Sequence, residues 1–326
     1  MQTSPSNVRI LFTGGGTLGS VTPLIALWEE CDGTALWLGT RRGPERDFVR
    51  SAGIPFFSLF SGKLRRYADI RNLIDPMFIA IGFFQALFHI IRFNPTVIIN
   101  AGSFVGVPVV FAGWLLGKKC IIWQLDIEQS LSNRVAAPFA RAVFASTRKA
   151  AESFDQRRVH VVGIPIRRAF KDAFDCMANE EKMNDFRKLF GIHDALPVVL
   201  VLGGGTGASA INELVWKARE RLTRRMHIIH VTGRGKESMS SISDDRYHQY
   251  PLIPDTLPQA LAVADCVITR AGMGTLAELA YFGLPAIIIP MPDTHQEKNA
   301  DFLNAKRAGR IVSQKGLSPD ALIEEI

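Results

Sequence analysis

A short apolar run that ends in a cluster of glycines and opens into a helical pattern occurs twice in this 326-residue chain, and no other feature restricts its fold as much. The first copy is Val8 to Thr13, then GGGTLG at 14–19, then a helical pattern from Pro23 to Glu30; the second is Pro197 to Leu202, then GGGTGAS from Gly203, then a helical pattern from Ala210 to about Arg221. Further apolar runs lie at 34–39, 96–102, 119–125, 159–163, 226–233, 266–272 and 285–290, most of them separated by helical segments. Strands that are apolar throughout, rather than at alternate positions, are covered on both faces. Alternation with helices therefore predicts an α/β protein made of two doubly wound, Rossmann-like parallel sheets. A hydrophobic content of 47% is enough for two cores. The domain boundary is expected just after Gly163-Ile164-Pro165, giving domains 1–165 and 166–326, because extended chain there gives way to a charged, helical stretch at 170–190.

The glycine loops narrow the chemistry. Residues 14–19 fit G-x-G-x-x-G and residues 203–208, GGGTGA, fit its G-x-G-x-x-A variant. A nicotinamide dehydrogenase places an acid at the end of the second strand, but TALWLG is followed by Thr40-Arg41-Arg42, which disfavours NAD and leaves only NADP open. No G-x-x-x-x-G-K-[ST] is present, which argues against P-loop kinases and ATPases. What remains is a loop whose backbone N–H groups, at a helix N-terminus, cradle phosphates without lysine or metal. A tight turn alone accounts for either loop by itself; two copies in matching settings favour phosphate. Ligands of such sheets bind beyond the carboxyl ends of the strands, so two domains facing a cleft can hold two substrates, one each.

A formal charge of +7 and a pI near 9.4 suit an anionic partner: nucleic acid, an acidic membrane face or a diphosphate compound. Arg41, Arg42, Arg46, Arg50, Lys63, Arg65, Arg66 and Arg71 precede the longest apolar stretch, Pro76 to Ile91, which is interrupted by Gln85 and His89 and is short for a bilayer span. Docking on an anionic leaflet and a buried core helix behind a solvated loop both fit this segment. Its Phe-rich helical pattern disfavours nucleic acid. Cys31, Cys120, Cys176 and Cys266 are far apart, so neither a zinc site nor a disulfide framework is indicated, and the run before the first glycines is too short for a secretory signal; an intracellular protein is expected. No D-x-D-type motif is evident, so a divalent ion is neither required nor excluded.

Several segments in order resemble the MurG family of GT-B glycosyltransferases: GGGTLGSVTPLIAL, NAGSFVGVPVVFAGWLLG at 100–117, LDIEQSLSNRVAAPFA at 125–140, GIPIR at 163–167, LVLGGGTGASAIN at 200–212 and the run from Arg270 to Ala300. The likeness covers nearly the whole chain. It implies a GT-B fold and inverting transfer of N-acetylglucosamine from UDP-N-acetylglucosamine to undecaprenyl-pyrophosphoryl-muramyl-pentapeptide, without a required cofactor. The N-terminal domain would take the acceptor and the C-terminal domain the nucleotide, at the cytoplasmic face of the inner membrane. A carboxylate at Glu278, one turn past Thr275 on a helix expected after Gly274, suits both ribose hydroxyls, and Gln296 and Asn299 supply amides for sugar hydroxyls. The resemblance assigns these roles in the family, adds Ile253 for uracil, and places Met273, Gly274 and Thr275 in the donor site. It also points to Arg167 and the N–H groups of Gly205, Thr206 and Gly207 for the departing diphosphate, and to Thr17, Leu18, Gly19, Ser20 and Asn133 for the acceptor. An exposed helix carboxylate or a loop-capping amide would be the plainer role for each polar residue.

The chain departs from the family in three places. Ser20 stands where the family carries a histidine near the acceptor hydroxyl, and serine has no useful basicity at neutral pH, which leaves Asp126 as the candidate proton acceptor beside a plainer role as a turn aspartate. Gly205 stands where the family carries serine. The chain stops at Ile326 soon after Ser318-Pro319-Asp320 opens a helix, where the family continues, so a fragment or a short variant is expected. The rivals are a transferase acting on another lipid such as diacylglycerol, and a UDP-N-acetylglucosamine 2-epimerase of the same architecture.

Overall fold

Runs such as RILFT and VVLVL bury nearly every side chain, as strands with helices on both faces require. The computed structural model describes residues 8–61, 71–204, 208–237 and 244–326, excluding the side chains of 71–76. The chain divides into two units, Met1–Arg167 and Arg168–Ile326; the boundary expected after Pro165 falls close by.

In the first unit, β1 (Arg9–Thr13), β2 (Thr34–Thr40), β3 (Phe56–Leu59), β4 (Val97–Asn100), β5 (Lys119–Gln124), β6 (Ala142–Ala145) and β7 (Val159–Val161) form one parallel sheet in the order β3-β2-β1-β4-β5-β6-β7. Its helices are α1 (Thr22–Trp28), α2 (Glu45–Ser51), α3 (Arg71–Phe93), α4 (Gly106–Leu115), α5 (Leu131–Ala136) and α6 (Arg148–Ala151). On one face Phe12, Trp37 and Trp123 pack with Leu24 and Ile25 of α1 and Val49 of α2. On the other, Leu11, Leu38, Ile98 and Ile122 pack with Ala86 and Ile90 of α3 and Val109 and Val110 of α4. The strand order reverses between β1 and β4, so the loop at 14–19 lies at the topological switch point.

The second unit repeats the plan. β8 (Val198–Leu202), β9 (His227–Val231), β10 (Tyr247–Tyr250), β11 (Cys266–Thr269), β12 (Ala286–Ile288) and β13 (Arg310–Ile311) run in the order β10-β9-β8-β11-β12-β13, again parallel. Around them are α7 (Arg168–Asp175), α8 (Glu180–Leu189), α9 (Ser209–Leu222), α10 (Leu257–Val263), α11 (Met273–Phe282), α12 (His295–Ala305) and α13 (Pro319–Glu325). The core joins Val199, Val201, Ile268 and Ile287 to Ile211 and Val215 of α9 and Leu322 of α13.

The apolar segment at 76–91 lies within α3 and has a buried and an exposed face. Ala86 and Ile90 are core, while Met77, Ile81, Phe84, Phe88 and Ile91 form an exposed stripe. Gly82 has a packing reason, since a Cβ there would overlap the carbonyl oxygen of Phe60, whose N–H is in turn bound by Oε1 of Gln85 at 2.9 Å. Lys63, Arg65 and Arg66 lie outside the described residues, as does the side chain of Arg71. Among the described residues no helix is long and apolar enough to cross a membrane.

Candidate functional site

In the second unit, the elements after β11 and β12 carry Met273, Gly274, Thr275, Glu278, Gln296 and Asn299 among the residues singled out for the donor. α11 begins at Met273, with Gly272 as its N-cap, two residues before the position expected from sequence. The cap offers no side-chain hydrogen bond to the helix, so the first-turn N–H groups of Met273, Gly274 and Thr275 rely on other acceptors. Glu278 follows in the second turn and is only 9% exposed, a depth at which a carboxylate requires strong hydrogen-bond donors.

Two buried side chains hold the segments around it. Arg270, just past β11, donates from Nη1 to the carbonyls of Ile289 (3.0 Å) and Pro290 (3.2 Å), and burial pushes its pKa below the ordinary arginine value. Asn299 is fully buried and donates from Nδ2 to the carbonyl of Ala271 at 2.9 Å. Its observed contact is thus with the loop before α11, a structural role beside the expected sugar contact. Gln296 is half-buried at the start of α12, and its Oε1 accepts from the N–H of Met291 at 3.0 Å, the loop-capping role for that half of its amide. Ile253 is buried in the loop between β10 and α10. Gly205, Thr206 and Gly207 lie outside the described residues.

A buried polar chain braces the neighbouring loop. Asn212 of α9 donates to the carbonyl of Thr232 at 3.0 Å, which leaves its Oδ1 to accept from Nε2 of His230 at 3.0 Å. Nδ1 of His230 is then the acceptor for the Tyr247 hydroxyl at 2.7 Å. Burial lowers the His230 pKa to about 3 and raises that of Tyr247, so both stay neutral.

In the first unit, Thr17 and Gly19 are exposed, while Leu18 and Ser20 are half-buried in a single turn of 3₁₀-helix. The Ser20 hydroxyl donates to the carbonyl of Thr17 at 3.4 Å. Side chains from three other parts of the fold fix the glycines before this turn. Trp37 Nε1 donates to the carbonyl of Gly14 (3.0 Å), the Ser103 hydroxyl donates to that of Gly15 (3.0 Å), and Oε2 of Glu45 accepts from the N–H of Gly16 (3.2 Å). At Gly16 the backbone donor that a phosphate cradle would use is taken by the protein's own carboxylate.

Asp126 is half-buried just after β5, and its carbonyl accepts from Nε2 of Gln124 at 2.7 Å. Asn133 is 1% exposed and donates from Nδ2 to Oε1 of Gln124 at 2.7 Å and to the carbonyl of Trp123 at 3.3 Å. Its observed hydrogen bonds thus support the end of β5, and its depth leaves little of it to meet an acceptor. Arg167 groups with the first unit, its guanidinium 5.1 Å from the ring centroid of Phe48. Among the described residues no group of three or more His, Cys, Asp or Glu is arranged to hold a metal ion.

Sequence reasoning missed Glu45, Arg270 and the Asn212–His230–Tyr247 chain. Glu45 reads as an ordinary first-turn acid and Arg270 as an ordinary loop cation. Only the glycines at 15 and 43, where a Cβ would overlap the Glu45 carboxylate, carried a trace of the buried acid.

Comparison with known proteins fits this arrangement. Residues 10–145 match the glycosyltransferase family 28 N-terminal domain, and residues 198–326 match the glycosyltransferase family 28 C-terminal domain. A Bacillus cereus protein named UDP-N-acetylglucosamine:N-acetylmuramyl-(pentapeptide) pyrophosphoryl-undecaprenol N-acetylglucosamine transferase 2 is 34% identical over 325 residues, spanning 98% of this chain and 90% of the relative. A Shouchella clausii protein with that name less its final numeral is 34% identical with the same coverage. Among solved structures, Acinetobacter baumannii MurG superposes with a TM-score of 0.66 at 23% identity, covering 97% of this chain and 89% of that one. A Neisseria meningitidis UDP-GlcNAc 2-epimerase superposes at 0.64 with 12% identity over 97% and 89%, a likeness of fold alone. The chain has the GT-B architecture and belongs to glycosyltransferase family 28, among the MurG-type UDP-sugar-dependent transferases.

Proposed function

We propose that this enzyme transfers N-acetylglucosamine from UDP-N-acetylglucosamine to undecaprenyl-pyrophosphoryl-muramyl-pentapeptide, giving the disaccharide lipid used in peptidoglycan synthesis. The second unit takes the nucleotide sugar and the first takes the lipid. The observation that carries the donor half is the buried Glu278 behind the uncapped N-terminus of α11, at the carboxyl end of β11. A carboxylate there accepts two ribose hydroxyls, and an uncapped helix start favours an anion. Transfer is a single inverting displacement. The acceptor hydroxyl oxygen bonds to the anomeric carbon, the bond from that carbon to the β-phosphate oxygen breaks, and the hydroxyl proton passes to a base, for which Asp126 is the candidate. Charge grows on the leaving diphosphate, where helix and backbone donors act most strongly, and no metal ion is required of the protein.

The first unit carries a surface suited to a lipid substrate. Phe83 and Phe84 of α3 meet at 5.5 Å between ring centroids, Phe83 and Phe111 of α4 at 5.4 Å, and Phe111 and Trp114 at 5.7 Å. Phe84 (67% exposed), Phe88, Ile91, Trp114 and Leu115 make this apolar face, with exposed Arg92 and Lys119 beside it. Exposed aromatic and aliphatic groups with nearby cations favour peripheral binding to an anionic bilayer, on the cytoplasmic side where the nucleotide sugar is made, and do not favour nucleic acid.

The test is UDP release from UDP-N-acetylglucosamine with and without a lipid acceptor analogue, for wild type and Glu278→Ala. Release that needs the lipid and is lost in the variant supports the transferase. Lipid-independent consumption of the donor would instead indicate epimerase or hydrolase chemistry.

A further inference from the structure

A fully buried carboxylate in the first unit has no part in the chemistry above. Glu45 opens α2 and is 0% exposed. Oε1 accepts from the N–H of Thr40 at 2.7 Å and from the Thr40 hydroxyl, while Oε2 accepts from the N–H of Gly16 at 3.2 Å. Backbone donors and the start of α2 offset the cost of burying the charge. The fold makes room for it on two sides, because a Cβ at Gly15 or at Gly43 would overlap the carboxylate. Thus the end of β2, the start of α2 and the first glycine loop meet on one side chain, and the seat that a bound phosphate would take at Gly16 holds an internal anion.

We infer that Glu45 is a positioning residue for the acceptor: it holds Gly16 so that the turn Thr17 to Ser20, exposed at Thr17 and Gly19, is presented in one conformation. This rests on the proposal that the first unit takes the lipid. The carboxylate is needed because all three of its partners donate. In Glu45→Gln the side chain has one accepting end and one donating end, so either Gly16 or Thr40 faces a donor. The loop then loses its anchor while shape and volume are kept.

Two readouts on the full-length protein test this. Hydrogen exchange of the peptide covering 14–20 is expected to speed up in Glu45→Gln, and the KM for the lipid analogue to rise about tenfold while the KM for UDP-N-acetylglucosamine stays within about twofold. Thr40→Val removes only the hydroxyl donor and is expected to change both in the same direction by less; it serves as the test if Glu45→Gln fails to fold. Unchanged exchange in the loop, or donor and acceptor parameters that decline together, would overturn the inference. If wild-type enzyme shows no lipid-dependent transfer, the proposed function is wrong and the acceptor role falls with it. Exchange at 14–20 still decides whether Glu45 anchors the loop.

Discussion

Glu278 and His230 show how depth changes what a residue type means. Glu278 was visible in the sequence from its helical spacing after Thr275, but its 9% exposure was not, and depth is what separates a hydrogen-bonding carboxylate from a solvated one. Glu278→Gln keeps the volume and removes the charge. Charge-assisted hydrogen bonds contribute roughly 1.5–3 kcal/mol, so donor kcat/KM is expected to fall about 10- to 100-fold with the lipid KM unmoved, read from UDP release at varied donor. An unaltered donor dependence would remove Glu278 from the site. For His230 the pKa is depressed by burial to about 3, below the ordinary 6.5, so beneath pH 6.5 the unfolded chain binds a proton that the folded chain does not. Stability from this group is therefore complete above pH 6.5 and is lost as pH falls, by about 1.4 kcal/mol per pH unit. His89 and His248 are depressed in the same direction and share the window, whereas Asp155, Asp194 and Glu325 are lowered carboxylates that act at lower pH. Urea midpoints measured from pH 7 to 5 are expected to drop, and His230→Gln to flatten the slope by about one proton's worth. An identical slope in the variant would show that His230 titrates normally.

At the scale of elements, the long apolar strands were legible because each buries four or more residues in sequence, as Val198–Leu202 does. FFSL, AVFA, YHQY and the two-residue β13 were not, since at most two positions of each are buried and they owe their state to the neighbouring ladder rather than to an apolar run of their own. α3 was ambiguous because its two faces say different things: Ala86 and Ile90 turn inward while Phe84, Phe88 and Ile91 turn outward. The outward stripe predicts that Phe84→Glu with Phe88→Glu leaves the urea midpoint near wild type and abolishes co-sedimentation with anionic vesicles. Retained binding would move the membrane contact elsewhere. Gly82 offers a test with opposite signs. Alanine in an exposed helix interior is better than glycine by about 0.5–1 kcal/mol, yet here its Cβ would overlap the Phe60 carbonyl. Gly82→Ala is accordingly expected to lower stability by about 1–3 kcal/mol, by analogy with overpacked cores, and a gain in stability would mean that α3 does not sit against the end of β3.

For the whole molecule, the repeated strand, glycine turn and helix foretold two doubly wound parallel sheets, and the two sheets that form share one switch-point order. What the repeat could not reveal is that the first loop has its Gly16 donor occupied by Glu45, since a glycine pattern records backbone freedom and not what fills the space it creates. The uses proposed for the two halves therefore differ despite their shared plan, with nucleotide at α11 and lipid surface at α3 and α4. Such a division is measurable in the intact chain by hydrogen exchange. UDP is expected to slow exchange in peptides covering 270–280 and 289–300 while leaving 14–20 unchanged, because the Gly16 N–H is already bonded and offers a diphosphate nothing. Anionic vesicles are expected to slow exchange at 77–93 and 106–118 and to leave the 270–280 peptide alone. Protection of 14–20 by UDP would mean that the nucleotide displaces Glu45 from Gly16, and the first glycine loop would then have to be counted as a phosphate site after all.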